Sequence, residues 1–183
     1  SAIAGYISSL TKQGKLLGRA YILPEDKRIV CIGGANMDRK SMLEQVFCLE
    51  TSNPVRTTST LGGVARNIAE NLGRLGADVH LLTIVGDDRE GKEVLARTNE
   101  YVKILPSLEV AGQSTGTYTA ILDEQGNMAV ALADMGIYDT VDIPFIEKRW
   151  SHIAASAMVL LDTNFPKEVI GYIIERCANE GIP

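Results

Sequence analysis

Cysteine, histidine and tryptophan are scarce in this chain of 183 residues, which holds three, two and one of them. Cys31, Cys48 and Cys177 are odd in number, lie far apart and form no Cys-x-x-Cys pair. This pattern argues against a disulfide framework or a zinc site and is typical of a reducing compartment. His80 and His152 show no ligand spacing with any cysteine, so core or surface roles are favoured for both.

Long hydrophobic runs and an excess of positive charge are also missing. No uninterrupted apolar run approaches the roughly 20 residues of a membrane-spanning helix, and the first residues lack the pattern of a signal peptide. The net charge of -5 disfavours a general nucleic-acid binder, although a small basic segment could still contact DNA. We therefore expect a cytoplasmic globular protein with no membrane partner.

The N-terminal segment, residues 1–27, differs in pattern from the remainder. Within residues 1–23, an amphipathic helical pattern is followed by a basic ribbon that contains glycine. This order resembles the recognition helix and wing of a winged helix-turn-helix and predicts a DNA contact, whereas the alternative is an extension that packs on the main domain. The turn at residues 24–27 predicts a boundary between a partial winged-helix-like segment over 1–27 and a main domain over 28–183.

In the main domain, short apolar runs that suit buried strands alternate with helical patterns. This alternation predicts an α/β fold with a parallel sheet, beside which a hairpin forms an antiparallel element. The expected strands are 28–34, 78–85, 102–106 and 157–162, the helices 63–75, 89–99 and 166–178, and the hairpin 117–132, with an edge hairpin or loop over 45–57.

Two adjacent glycines, Gly62 and Gly63, lead into a predicted helix that carries Asn67 in its first turns. Glycines at a helix entrance let a ligand approach the backbone closely and leave N–H groups pointing at it. An asparagine offers a donor and an acceptor, which suits a hydroxyl-rich ligand. The segment therefore predicts a site for a small polar molecule, although each residue taken singly also fits a tight turn or a solvated helix position.

Further polar side chains follow the predicted strands, with Asn36 and Asp38 after the first strand and Asp162 and Asn164 after a later one. In open α/β sheets, ligands bind at the carboxyl ends of the strands, so we expect these groups to share one mouth with the Gly62–Gly63 turn. Asp38 taken by itself fits a helix cap or turn residue better than a ligand group. The combination of carboxylate and amide groups is of the kind that binds a polyol or ribose.

Residues 62–69 (Gly-Gly-Val-Ala-Arg-Asn-Ile-Ala) resemble the N-terminal signature of ribokinase-like, PfkB-type carbohydrate and nucleoside kinases. The resemblance extends to 33–38 (Gly-Gly-Ala-Asn-Met-Asp), 85–91 (Val-Gly-Asp-Asp-Arg-Glu-Gly) and 115–118 (Thr-Gly-Thr-Tyr), and it covers about residues 28–183. It implies a ribokinase-like doubly wound sheet, incomplete in this chain, with a small antiparallel β-lid. The Gly-Gly-Val-Ala-Arg-Asn variant, joined to a winged-helix-like start, is similar to the pseudouridine kinase branch.

The resemblance also implies site residues, cofactors and partners. Members of the family transfer the γ-phosphoryl group of ATP to a hydroxyl group with the help of Mg²⁺. The hairpin 116–132 would belong to the lid, which in many members pairs with another subunit and so suggests a homodimer. The implied substrate-binding set is Asn36, Asp38, Gly62, Gly63, Asn67, Thr117 and Asn164.

The sequence holds no Gly-x-Gly-Asp, the motif that supplies the catalytic base near the ATP site in this family, and no Walker-type phosphate loop. The turn at residues 86–88 (Gly-Asp-Asp) corresponds to a structural or substrate-side turn of the family. We therefore expect this chain to carry the substrate-binding half of a sugar or nucleoside kinase, with pseudouridine as the favoured acceptor, and to be inactive alone. The alternative is a sugar- or nucleoside-responsive DNA-binding regulator. Gly33 and Gly34 form no Gly-x-Gly-x-x-Gly, so a dinucleotide-binding domain ranks low.

Overall fold

The computed structural model describes residues 28–106 and 108–183. The predicted winged-helix-like segment 1–27 and its DNA contact through residues 1–23 lie outside these ranges and stay predictions. Within them, the strands are β1 (Ile29–Ile32), β2 (Asn36–Leu43), β3 (Val55–Gly62), β4 (Val79–Leu82), β5 (Ile84–Gly86), β6 (Lys103–Ile104), β7 (Leu108–Val110), β8 (Thr117–Leu122), β9 (Met128–Asp134) and β10 (Met158–Leu161). The helices are α1 (Val64–Arg74), α2 (Arg89–Thr98), a 3₁₀ helix (Gly136–Thr140), α3 (Ile143–Glu147), α4 (Trp150–Ala154) and α5 (Lys167–Asn179).

A parallel sheet of order β10-β1-β4-β6, here called the central sheet, lies between two apolar layers. Alternate residues of β1 point to opposite faces, as strand geometry requires. Cys31 packs in one layer with α1 residues such as Ala69, whereas Ile32 packs in the other with Ile146 of α3 and Ile173 of α5. Helices on both faces of a parallel sheet confirm the predicted doubly wound α/β class.

A second sheet of order β3-β2-β8-β9, here called the outer sheet, was only partly predicted. We expected Asn36 and Asp38 to follow the first strand, with no strand of their own, and one antiparallel hairpin in the lid. The chain instead re-enters a strand at Asn36, and the central pair of the sheet, β2 and β8, is parallel. Strand β2 escaped prediction because its polar run Asp38-Arg39-Lys40 reads as a loop, while backbone pairing with β3 and β8 makes it a strand.

Two further differences concern the segments that join the sheets. The strand predicted over 78–85 breaks at Thr83, after which β5 leaves the central sheet and pairs in parallel with β7. The 3₁₀ helix, α3 and α4 follow the outer sheet, where no helix was predicted. In the described ranges, no helix is long and apolar enough to cross a membrane.

Candidate substrate-binding site

Two glycine turns meet where the chain crosses between the sheets. Residues 33–35 connect β1 of the central sheet to β2 of the outer sheet, and Gly63 connects β3 to α1. Gly63 has a φ of +94°, which L side chains rarely adopt, and a Cβ there would overlap the carbonyl oxygen of Gly34. Gly63 is therefore required by the close packing of the two turns, whatever ligand binds beside them.

Asn36, Asp38 and Gly62 come together at the start of β2. The amide nitrogen of Asn36 donates to the carboxylate of Asp38 over 2.6 Å, and Gly62 is the register partner of Asn36 on β3. A Cβ at Gly62 would overlap the carboxylate of Asp38. Gly62 thus leaves room for the carboxylate, which is the group expected to accept a hydrogen bond from a substrate hydroxyl.

The carboxylate of Asp162, at the end of β10, joins the surrounding loops. It accepts hydrogen bonds from the backbone N–H groups of Gly34, Ala65 and Asn164, each over 2.9 Å. Ala65 lies in the first turn of α1, and the N-cap residue of that helix, Gly63, has no side chain with which to cap it. Asp162 therefore caps α1 from another element, where a negative charge also complements the helix dipole.

Tyr138, from the 3₁₀ helix, fixes the crossover from the other side. Its hydroxyl accepts from the N–H of Ala35 over 2.9 Å and donates to the carbonyl of the same residue over 2.8 Å. Burial raises the pKa of the phenol well above its ordinary value, so it stays protonated. No sequence motif indicates a role for Tyr138. Its role depends on a long-range contact with Ala35, the residue that precedes Asn36.

The structure places Asn164 near the other predicted site residues, but it places Thr117 on another face. Asn164 is half-buried, and a Cβ on Gly34 would lie 2.8 Å from its Nδ2 atom. Asn164 therefore lies beside the segment 33–35 that connects the two sheets. Thr117 pairs with Met37, whereas Tyr118 pairs with Asp38. Residues paired in register share a face of the sheet, so the structure places Tyr118 beside Asp38 and Thr117 on the opposite face. A one-residue offset of this kind depends on strand register, which the motif does not reveal.

Asn67 lies exposed in the first turns of α1. Its side-chain oxygen accepts a hydrogen bond from the guanidinium of Arg66, a residue that is only 5 % exposed. The sequence predicted Asn67 as a site residue, but it predicted no role for Arg66, which appears only within the motif 62–69. The sequence carries no signal for the role of Arg66, because its burial is known only from the structure, and arginine is almost never buried without partners.

The Gly-Asp-Asp turn has a structural role. Asp88 accepts from the N–H of Gly91 over 2.7 Å, which caps α2, and from the N–H and hydroxyl of Thr115 over 2.7 and 2.6 Å. Burial acts to raise the pKa of Asp88, but the hydrogen bonds from Thr115 and Gly91 outweigh it, and the pKa lies below its usual range. An ionised aspartate that is fully engaged in hydrogen bonds is suited to hold a loop and not to take a proton from a substrate.

Solved structures define the class of this fold. A carbohydrate kinase from Agrobacterium tumefaciens superposes with a TM-score of 0.79 at 31% identity, over 86% of this chain and 52% of that one. Ribokinase from Arabidopsis thaliana, complexed with ribose and ATP, superposes with a TM-score of 0.74 at 17% identity over the same shares of the two chains. The fold is therefore that of the ribokinase-like kinases.

Sequence relatives narrow this class to a family. Residues 26–183 match the pfkB family of carbohydrate kinases. Pseudouridine kinase from Escherichia coli is 34% identical over 156 residues, which cover 85% of this chain and 50% of that protein. The sugar kinase YeiI of the same organism is 32% identical over 174 residues, or 94% of this chain and 48% of that protein. The chain belongs to the pfkB family, and it spans about half the length of these two relatives.

Proposed function

We propose that the protein containing this chain transfers the γ-phosphoryl group of ATP to a hydroxyl of a sugar or nucleoside, with pseudouridine as the favoured acceptor. In this proposal the chain supplies the acceptor-binding side. The observation that carries it is the Asn36–Asp38 pair, seated against Gly62 where the two sheets meet. The likeness to the pseudouridine kinase of E. coli supports the choice of acceptor.

The chemistry of this pair suits a polyhydroxylated ligand. A carboxylate carries acceptors only, so Asp38 would bind the O–H of an acceptor hydroxyl. Asn36 uses its amide nitrogen to hold Asp38 in place, and it is 5 % exposed, so both groups are oriented before a ligand arrives. Phosphoryl transfer depends largely on positioning and charge stabilisation, to which a pre-oriented acceptor site contributes directly.

We assign no ATP or Mg²⁺ site to the residues that the structure describes. Over the ranges 28–106 and 108–183, no cluster of three or more His, Cys, Asp or Glu could hold a metal ion. The 183-residue sequence also contains no Gly-x-Gly-Asp. We therefore assign neither the catalytic base nor any step at the phosphates to this chain, and its inactivity in isolation remains a prediction.

The test is ADP release by the full-length protein with ATP, Mg²⁺ and a panel of pseudouridine, uridine, inosine, ribose and fructose. We expect Mg²⁺-dependent turnover, highest with pseudouridine. Asp38→Asn removes the charged acceptor and should lower kcat/KM by about 100-fold, of the order expected for a hydrogen bond to a charged group. Asp139→Asn, which alters an exposed carboxylate of the 3₁₀ helix, is the control. Background ADP release with the whole panel would refute the kinase proposal.

We further propose that the outer sheet pairs with a second copy of the protein. Strand β9 lies at the edge of this sheet, and Met128, Val130 and Leu132 on it are 58, 38 and 58 % exposed. An exposed apolar edge strand is a template for pairing with another chain. Sedimentation velocity of the full-length protein should show a dimer that Leu132→Lys weakens and Ile174→Lys, at an exposed position on α5, does not. A monomer at micromolar concentration would contradict this arrangement.

A further inference from the structure

Arg66 buries its guanidinium where β3 turns into α1. Its Nε donates to the carbonyl of Gly62 over 2.9 Å, and another guanidinium nitrogen lies 3.4 Å from the carbonyl of Leu61. The same side chain donates to Oδ1 of Asn67 and forms an ion pair with Glu70. One side chain therefore connects the glycine turn, a predicted site residue and the body of the helix.

The contact with Arg66 determines how the amide of Asn67 is oriented. A guanidinium carries donors only, so the atom of Asn67 that faces it must be the amide oxygen. The amide nitrogen is then the end of Asn67 left to donate to a ligand. Since Asn67 is exposed, that donor is accessible to an acceptor oxygen of a bound molecule, such as a hydroxyl or a carbonyl.

The same arginine holds the peptide that faces Asp38. Gly62 has no side chain of its own, and its Cα lies against the carboxylate of Asp38. A hydrogen bond to the Gly62 carbonyl fixes the plane of this peptide. The backbone N–H of Arg66 also lies 3.3 Å from the carbonyl of Gly34 and so connects the two glycine turns.

Glu70 compensates the buried charge. It pairs with Arg66 on one side and accepts from Nε of Arg74 over 2.7 Å on the other. Burial acts to raise the pKa of Glu70, but hydrogen bonds from Arg74 and Arg66 outweigh it, so the pKa lies below its usual range. A buried arginine is tolerated when it is paired and its remaining donors are satisfied, which describes Arg66.

We propose that Arg66 is a positioning residue of the acceptor site, which fixes the Gly62 peptide beside Asp38 and turns the Asn67 amide nitrogen toward an oxygen of the acceptor. The inference rests on the proposed function and extends it to a residue that does not itself touch the substrate. Its ligand class is an acceptor molecule with a hydroxyl or carbonyl oxygen in reach of α1.

A lysine at position 66 separates this role from simple charge pairing. Its single ammonium group can still pair with Glu70, but it lacks the planar fork that reaches Gly62 and Asn67 in other directions. Arg74→Lys is the matched control, because Arg74 undergoes the same change on the same helix and also pairs with Glu70. Arg74 is half exposed. Its guanidinium stacks on the ring of Tyr101 at the C-terminal end of α1.

The experiment measures steady-state kinetics of the full-length protein with Arg66→Lys and Arg74→Lys. For Arg66→Lys we expect KM for the acceptor to rise about tenfold, the effect of losing one well-placed hydrogen bond. KM for ATP should change less than about twofold, and Arg74→Lys should leave both constants near wild type. An unchanged acceptor KM in Arg66→Lys, or an equal rise in both KM values, would overturn the inference.

A crystal structure of the Arg66→Lys protein supplies a readout independent of activity. We expect the Asn67 amide to leave its wild-type orientation, and an amide that keeps this orientation would overturn the inference. If the wild-type protein releases no ADP with any acceptor, the proposed function fails, while the crystal structure still decides whether Arg66 orients Asn67.

Discussion

The central and outer sheets of this chain differ in almost every physical property. All residues of β1 are buried, whereas in β9 every residue except Ala131 is exposed. The central sheet is parallel and apolar on both faces, and helices cover it. The outer sheet is mixed and carries threonine, serine and charged side chains along β2 and β3.

Because of this difference, the central sheet contributes mainly to stability and the outer sheet to the candidate site. Burial of apolar surface is the main source of stability, so the central sheet should dominate the free energy of unfolding. The outer sheet offers pre-oriented polar groups such as Asn36 and Asp38, and few of its apolar residues are buried, among them Met37, Leu43 and Ala120. Residues 33–35, Gly63 and Thr115 lie where the two regions meet, and the hydrogen bonds of Asp162, Tyr138 and Asp88 concentrate there.

The largest expected effect tests whether stability resides in the central sheet. Leu81 of β4 is fully buried, and Leu132 of β9 is 58 % exposed. Leu81→Ala should lower the free energy of unfolding by about 3–5 kcal/mol because it leaves a cavity, and Leu132→Ala should change it by less than about 0.5 kcal/mol. Urea denaturation of the full-length protein measures both. Equal losses would show that the outer sheet is as important to stability as the core.

The second prediction concerns the junction of the sheets. Asp162→Ala leaves the N–H groups of Gly34, Ala65 and Asn164 without their carboxylate acceptor. We expect a loss of about 2–3 kcal/mol in the free energy of unfolding, the cost of buried donors that lose a charged partner. Asp134→Ala, at an exposed carboxylate of β9, is the control and should cost less than about 0.5 kcal/mol. If Asp162→Ala unfolds no more easily than this control, Asp162 does not act as the cap of α1.

The third prediction uses pH to examine the contact between α2 and the segment that leads into β8. The folded pKa of Asp88 lies below its ordinary value, so its ionised form adds stability above the unfolded pKa of about 3.9. This contribution is lost as the pH falls through the lower folded pKa. Asp88→Asn should cost about 1–2 kcal/mol at pH 7, and the difference from wild type should shrink below about pH 4. Chemical denaturation of the wild-type and Asp88→Asn proteins at pH values between about 3 and 7 measures this difference.

The two sheets also differ in how well the sequence predicted them. Continuous apolar runs predicted β1 and β10 of the central sheet, because burial on both faces leaves a strong pattern. Helical patterns predicted α1, α2 and α5, but not α3 and α4. The outer sheet lacks this pattern, since its strands are held by backbone pairing between polar side chains. No element was therefore predicted over β2, and the predicted edge hairpin or loop over 45–57 reached only the first residues of β3.

The residues of the candidate site also differ in whether the sequence could predict them. Asn36, Asp38, Gly62 and Asn164 were predicted from their positions at strand ends and turns, and the structure brings them together. Thr117 depended on strand register, and Tyr138 on a contact between residues 103 positions apart. Neither register nor such a contact leaves a local trace in the sequence, so these were the parts that only the structure could supply.

The smallest expected effect measures the energetic coupling between the two regions. Arg39 of β2 forms an ion pair with Glu90 of α2, and their side chains are 32 and 36 % exposed. A double-mutant cycle of Arg39→Ala and Glu90→Ala should give a coupling of about 0.2–1 kcal/mol, because water screens a pair with this exposure. The coupling should fall further in 1 M salt. The pair Arg97–Glu93, within α2, is the reference cycle. A coupling above about 2 kcal/mol that persists in salt would mean that this ion pair, and not only the turns at Gly34 and Gly63, holds the outer sheet to the core.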